Sequence, residues 1–311
     1  MGSWLQEWLD AQRRAVRIGT YRRYEQSVRL YLQPHLGDKR LVRLEAADVV
    51  AMMNDLSETL APGTIRQIRG VLRAALDSAI EDHKLNRNVV KTKLARGPQA
   101  VKSVAYAPDP AMARALVEAA GAYSESLGRA VAFGIFGTGL RAGKHAALRW
   151  QDCHLDAGVP HLVVSHSLTR KYGEAGGWVL TDPKTDNSRR KVTLGPGAVA
   201  SLRVERATQN GSEGYVFRGA DGGPRPYDPV HLQTALSRKG LLIRADTGKK
   251  LTWDSVCREG HGRLLLQQGW NLKAVAARLG NSVEVLACHY AGIIQADEAR
   301  IGCSLDALRI A

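Results

Sequence analysis

The sequence predicts a mainly α-helical protein with a small β-sheet, an α+β fold divided into two domains. Three observations carry that prediction. A chain of 311 residues is long enough to build two cores. Apolar residues recur at helical spacing before residue 80 and again beyond residue 110, whereas short β-prone runs fall only between 161 and 194. Between the helical stretches, residues 91–109 carry Lys91, Lys93, Arg96, Lys102 and two prolines with little periodicity. The division expected is a helical domain over 4–95, a linker over 96–109 and a mixed domain over 110–311.

Trp4, Leu5, Trp8 and Leu9 form the first helical stripe. Thr20 is placed to cap a second helix over 21–32, and Pro34 is expected to stop it. A third helix is expected over 45–56. Pro62-Gly63-Thr64 opens a fourth, whose apolar face is Ile65, Ile68, Val71, Leu72, Ala75, Leu76 and Ala79. Its other face carries Arg66, Arg69 and Arg73, which are candidates for contact with phosphates. The second domain is expected to hold helices over 110–122, 125–137 and 143–148, then strands over 161–165, 177–180 and 191–194. Further helices are expected over 229–239, 257–268, 272–279 and 283–290.

The net charge is +14 and the pI about 9.9. A surplus of that size favours a polyanion, with DNA or RNA as the default. It is distributed: residues 1–96 hold 17 Lys+Arg against 11 Asp+Glu, and the remainder 27 against 19. Both domains are therefore expected to touch one extended partner. Cys153, Cys257, Cys288 and Cys303 have no CxxC spacing and form no cluster with zinc-ligand spacing, so reduced thiols are expected and no metal or other cofactor. The longest apolar run, 130–136, is too short to span a bilayer, and no signal peptide opens the chain. A cytoplasmic, nucleoid-associated protein with no membrane partner is expected.

The segment Gly137-Thr138-Gly139-Leu140-Arg141-Ala142-Gly143-Lys144 is not a phosphate-binding P-loop, which needs Gly at Thr138 and Ser or Thr at His145. Its third glycine also comes one residue late for a dinucleotide fingerprint. The informative pattern is longer: Arg141, Lys184, Arg258 and Tyr290, in that order. Two arginines can grip the non-bridging oxygens of a phosphate, a lysine can protonate a departing oxygen, and a tyrosine can attack phosphorus. Together they describe metal-free cleavage of a nucleic-acid backbone.

The flanking residues resemble the tyrosine site-specific recombinases, the phage-integrase family. Thr138-Gly139-Leu140-Arg141-Ala142-Gly143, followed by Leu148-Arg149-Trp150-Gln151-Asp152, is similar to that family's Thr-Gly-Leu-Arg-x-Gly-Glu and Leu-x-Trp-x-Asp. Pro183-Lys184-Thr185 with Ser188 and Arg190 resembles Pro-Lys-Thr-x-x-Ser-x-Arg, and two β-prone runs flank it, so a hairpin with Lys184 near its turn is expected. Arg258, Leu265-Leu266, Gly269, Leu279-Gly280 and Tyr290 keep the family's spacing. The resemblance makes Arg141 and Arg258 the catalytic arginines, Lys184 the acid for the leaving 5′ oxygen, and Tyr290 the nucleophile. Arg189 and Arg190 become further DNA-contact candidates.

Four positions depart from the pattern. Ser255 stands where the family has a histidine, three residues before Arg258. Asn281 replaces the histidine or tryptophan of Leu-Gly-His, Lys144 replaces a glutamate, and Glu259 replaces a second histidine. Asn281 keeps an NH₂ donor. Ser255 cannot act as a base near neutrality. His261 and His289 are the nearby imidazoles that could substitute for it.

The resemblance implies a helical core-binding domain and a catalytic domain closing as a C-shaped clamp on duplex DNA, with no arm-type domain ahead of them. It also implies a 3′-phosphotyrosine, a Holliday junction and four protomers in synapsis. A tail over 295–310 docks either on a neighbouring protomer or on its own domain. The rival reading is a DNA-binding regulatory or architectural protein that keeps the fold without the reaction.

Overall fold

The computed structural model describes residues 1–99, 108–170, 177–182, 189–209, 213–219, 222–224, 229–244 and 248–295. Lys184 and the 296–311 tail lie outside them. The chain forms two compact units, 1–102 and 103–311. No helix among the described residues is long and apolar enough to cross a membrane.

The first unit is all helical. Helix α1 (Gly2–Ala15) buries Trp4, Leu5, Trp8 and Leu9, the stripe read from the sequence. The Trp4 indole N–H donates to the Ala75 carbonyl at 2.9 Å, fixing α1 on α5 (Pro62–Glu81). Helix α2 (Ile18–Ser27) begins two residues before Thr20, with Arg17 at its N-cap. The stop expected at Pro34 does not occur: a π-helical turn (Val28–Leu32) leads into α3 (Gln33–Leu36), which contains the proline. In that turn the Gln33 N–H reaches back five residues to the Val28 carbonyl. The wider ladder just ahead of Pro34 lets the chain stay helical where proline brings no N–H of its own. Helix α4 (Ala46–Ser57) opens with a capping box between Glu45 and Asp48.

Helix α5 has Pro62 in its first turn, where no N–H is needed, and buries all seven of its predicted apolar residues. Its cationic face is not uniform. Arg66 and Arg73 are exposed, and Arg73 pairs with Asp77 at 3.7 Å. Arg69 is not a free phosphate contact: Nε donates to the Ala95 carbonyl and Nη2 to Val90, both at 2.6 Å. These bonds hold the 89–95 segment on the core, where Val89, Val90 and Ala95 are buried.

The second unit opens with α6 (Pro110–Tyr123) and α7 (Glu125–Ala132), capped by Asp109 and Ser124. A second π-helical turn (Phe133–Thr138) follows, then α8 (Ala142–Ala146). Strands β1 (Cys153–His154), β2 (His161–Val164) and β5 (Arg190–Thr193) form one antiparallel sheet, in the order β1-β2-β5, with Val164 opposite Arg190. Strands β3 (Ser167–Arg170) and β4 (Trp178–Thr181) form another. The two runs flanking Lys184, β4 and β5, thus lie in different sheets and are not partners in a hairpin. Strand β3 was not expected, since its four residues carry no clear β-prone run.

Helix α9 (Pro196–Ala207) was also not expected, because Gly195-Pro196-Gly197 resembles a turn. Here Gly195 is the N-cap and Pro196 the first helical residue. Glu205 of α9 is buried and accepts from Arg129 Nε at 2.6 Å and Ser126 Oγ at 2.8 Å, joining α9 to α7. Next come α10 (Pro229–Arg238), a third π-helical turn (Asp254–Glu259), α11 (Gly260–Gln267), α12 (Leu272–Leu279) and α13 (Val283–Gln295). The core joins Phe133, Phe217, Trp253 and Val256 to the apolar faces of α6, α7 and α9.

Helices α6 and α7 meet at Gly121 and Gly128. A Cβ on Gly128 would lie 2.7 Å from the Gly121 Cα, whereas one on Gly121 would meet only the Gly128 Cα at 4.0 Å. Gly128→Ala is expected to destabilise the second unit, because an overpacking cost of about 1–3 kcal/mol exceeds the helix-propensity gain of about 1 kcal/mol. Gly121→Ala keeps the gain without the clash and is expected to be neutral or stabilising. Urea unfolding of both variants checks the contrast.

Candidate active site

Arg141 lies at the N-cap of α8, directly after the second π-helical turn, and is exposed. Arg258 lies in the third π-helical turn and is 7% exposed. The two guanidiniums converge on one oxygen: Arg141 Nη2 donates to Asn281 Oδ1 at 3.0 Å, and Arg258 Nη2 to the same atom at 2.7 Å. Arg258 also donates to the Gly139 carbonyl at 3.0 Å and the Leu279 carbonyl at 2.9 Å.

Two left-handed glycines make this convergence possible. Gly139 (φ 61) ends the second π-helical turn, and a Cβ there would lie 2.6 Å from Leu279 Cδ2 and 2.8 Å from His261 Cδ2. Gly280 (φ 66) ends α12, and its Cβ would lie 2.7 Å from Arg190 Nη1. Any other residue would be both strained and crowded at either position.

Arg190, read from the sequence as a DNA-contact candidate, also belongs to this cluster. It is half-buried: Nε donates to the Arg278 carbonyl at 2.9 Å and Nη2 to the Leu279 carbonyl at 3.0 Å. It thus shares the Leu279 carbonyl with Arg258. Its Nη1 is buried with no hydrogen-bond partner among the described residues. The place of Arg190 in the Ser-x-Arg pattern was the available signal. Arg189, next to it, is exposed and lies 3.8 Å from Asp182.

Lys144 joins the cluster from α8 and is only 9% exposed. Burial, then Arg190, Arg141 and Arg258, draw its pKa down to about 8. Burial and Arg141 likewise pull Arg258 and Arg190 down to about 10, and Asp254 works against this at Arg258. Asp254 accepts the Ala142 N–H at 3.2 Å.

Tyr290 is 3% exposed, and α13 leaves helical geometry there (φ −111, ψ 18). Its hydroxyl donates to the Glu259 carbonyl at 2.9 Å, and Gly262 leaves room for the phenol, since a Cβ there would overlap it. Burial, then the Glu259 carboxylate, hold the phenol well above its ordinary pKa. Glu259 therefore acts on Tyr290 and not on Arg258, as expected of neighbours that point apart.

Neither Ser255 nor His261 supplies a base. Ser255 Oγ donates to the Thr252 carbonyl at 2.9 Å and accepts the Thr252 N–H at 2.7 Å, a local closure ahead of the π-helical turn. His261 is buried, with Nδ1 2.7 Å from the Ile135 carbonyl and Nε2 accepting from Arg278 Nε at 2.9 Å. Burial, then Arg278, lower its pKa to about 4, so it is neutral. His289 is exposed. No group of three metal-ligating side chains occurs among the described residues.

Comparison with known proteins identifies the fold that carries this geometry. Residues 2–94 match the phage integrase central domain. The Tn1549 transposon integrase, solved with transposon right end DNA, superposes with a TM-score of 0.81 at 19% identity, over 96% of this chain and 98% of that one. This is the fold of a tyrosine integrase. A lambda integrase dimer bound to a COC′ core site matches with a TM-score of 0.69 at 19% identity, over 93% of this chain and 94% of that one. A lambda integrase tetramer bound to a Holliday junction gives 0.66 at 19% identity, over 90% and 76%. A search of curated proteins returned no match. The integrase fold thus accounts for both units.

The Lys144 environment has a measurable consequence in the free protein. Its folded pKa of about 8 lies below the ordinary 10.5, so the charged form is disfavoured by folding. That cost is full below about pH 8 and is relieved as pH rises toward the unfolded value. Stability is therefore expected to rise between about pH 8 and 10, and Lys144→Met is expected to flatten the rise. Chemical denaturation at stepped pH checks it.

Proposed function

We propose that this protein is a tyrosine recombinase that cleaves and exchanges strands of duplex DNA at specific sites. The observation that carries the reading is the pair of arginines on one oxygen. In the free chain Asn281 Oδ1 fills the position that a non-bridging phosphate oxygen would take, and bidentate guanidinium–phosphate pairing is the stronger contact. With DNA bound, Arg141 and Arg258 hold the scissile phosphate. Asn281 then turns its NH₂ group to the phosphate as a donor.

In the reaction, the Tyr290 oxygen bonds to phosphorus and the bond to the 5′ oxygen breaks, leaving a 3′-phosphotyrosine. Lys184 protonates the departing oxygen. Tyr290 first releases the Glu259 carbonyl, and its own proton passes to water as the new bond forms. The raised pKa of the buried phenol opposes this proton loss, and the approach to two guanidiniums favours it. A missing imidazole slows such a step by about 10²–10⁴ without abolishing it.

Arg66, Arg73 and Arg189 are the exposed cations assigned to flanking phosphates. The charge surplus in both parts of the chain supports an extended duplex as partner. Four protomers on two sites, acting on nucleoid DNA in the cytoplasm, complete the reading. The silent DNA-binding protein remains the second reading, because Ser255 is closed on Thr252 and His261 is held neutral.

A nicked cognate duplex separates the two. The wild type is expected to give a covalent DNA–protein band that Tyr290→Phe abolishes while DNA affinity stays within a few-fold. Tight binding with no Tyr290-dependent band establishes the silent protein instead. Arg258→Lys is expected to reduce adduct formation far more than binding, since an ammonium cannot reproduce the fork or reach three carbonyl acceptors. Equal cleavage rates remove Arg258 from the site. Filter binding at graded salt is expected to give a log–log slope corresponding to several phosphate contacts.

A further inference from the structure

The C-terminus of α12 decides where Asn281 stands, and the backbone alone does not hold it. A helix leaves its last four carbonyls without intrahelical donors. In α12 these belong to Ala276, Ala277, Arg278 and Leu279. The first two are satisfied by the turn itself: the Asn281 N–H donates to Ala276 at 2.9 Å and the Gly280 N–H to Ala277 at 3.1 Å. The Arg278 and Leu279 carbonyls remain. Arg190 takes both, Nε on Arg278 at 2.9 Å and Nη2 on Leu279 at 3.0 Å, along one edge of its planar guanidinium.

The contact is built from both sides. Arg190 lies on β5, and Arg278 donates back to the carbonyl of Thr193 on the same strand at 3.2 Å. The same Arg278 nitrogen donates to the Gly137 carbonyl of the second π-helical turn at 2.6 Å. Gly280 makes room: a Cβ there would lie 2.7 Å from Arg190 Nη1 and 3.0 Å from Cζ. Burial, then Arg141 and Arg278, pull the Arg190 pKa down to about 10, so the guanidinium is held where its charge is disfavoured. A cation needed only for its charge would be better solvated outside; the α12 end uses the fork.

What the fork holds bears directly on the arginine pair. Arg258 Nη2 donates to the same Leu279 carbonyl at 2.9 Å and to Asn281 Oδ1 at 2.7 Å. Without Arg190 the Arg278 carbonyl loses its side-chain donor, and one nitrogen of Arg258 is left both to cap α12 and to grip the substrate. We propose that Arg190 is a positioning residue for strand cleavage: by capping the Arg278 and Leu279 carbonyls it fixes the Leu279–Asn281 turn from which Arg258 is aimed. Arg258 then passes from Asn281 to the phosphate without releasing the helix end. This rests on the assignment of the arginine pair to the scissile phosphate and adds the residue that keeps the pair in register.

Adduct formation is measured at saturating DNA on two nicked cognate duplexes that differ at the scissile phosphate. One carries the ordinary phosphodiester. In the other a methylphosphonate replaces one charged non-bridging oxygen with a neutral methyl group, so the grip of the arginine pair counts for less. Arg190→Met is expected to slow the phosphodiester reaction at least about tenfold and the methylphosphonate reaction less than about threefold, with DNA affinity within a few-fold. Arg190→Lys keeps the charge without the fork and is expected to follow Arg190→Met. Equal losses on the two duplexes, or a wild-type rate in Arg190→Lys, overturn the proposal.

Amide hydrogen exchange in the free protein reads the turn without any DNA. Exchange at Gly280 and Asn281 is expected to quicken at least about tenfold in Arg190→Met and Arg190→Lys, while exchange across α6 stays level as the reference. Should Arg190→Met fail to fold by circular dichroism, Arg190→Lys carries both measurements. Unchanged exchange in a folded variant overturns the proposal. A wild type that forms no adduct on either duplex sinks the recombinase reading, and the positioning role with it. An active wild type whose rate the Arg190 variants leave unchanged sinks the positioning role alone.

Discussion

A buried guanidinium must place its N–H groups on acceptors, and Arg258 places them on two separate stretches of chain. Gly139 ends the second π-helical turn, Leu279 ends α12, and Asn281 follows the α12 cap. One side chain thus sets the spacing of segments up to about 140 residues apart in sequence. Hydrogen bonds from a charged donor contribute about 1.5–3 kcal/mol each, and leaving such a charge buried without them costs several more. The two left-handed glycines exist to let these carbonyls approach. Arg190 shares the Leu279 carbonyl and extends the constraint to the sheet.

The tyrosine is governed by a different balance. Its seat consists of the Glu259 carbonyl, the Glu259 carboxylate and the space left by Gly262. Burial and the Glu259 carboxylate favour the neutral phenol, whereas Arg258 favours an anion. The free protein holds Tyr290 and the paired arginines in one unit and keeps the phenol protonated.

Much of the fold was legible because its signals are local. The seven apolar residues of α5 and the four of α1 are buried as their spacing requires. The family motifs also located Arg141, Arg258, Asn281 and Tyr290, three of which share direct hydrogen bonds. What failed was long-range. Arg69 read as a cation on a charged helix face and Arg190 only as a DNA-contact candidate, since nothing in a sequence announces that a backbone carbonyl will need a donor from 20 or more residues away. The pairing of β4 with β3 rather than β5 is of the same kind, as is the helix hidden behind Gly195-Pro196-Gly197. Lys144 was legible as a departure, but not as a member of the cluster.

The three π-helical turns bear on how such chains diverge. Each is one surplus residue absorbed within a helix, and each lies beside a feature that spacing alone would misjudge: Pro34, Arg141 and Arg258. Within the third, residues three apart no longer stack on one face as they do in an α-helix, so Ser255 turns to Thr252 while Arg258 turns inward. Removing a single residue from such a turn would leave the helical content almost unchanged and swing everything beyond it by about 100° around the axis. An ancestor one codon shorter at this point would have carried the same motif letters with a different set of side chains turned inward.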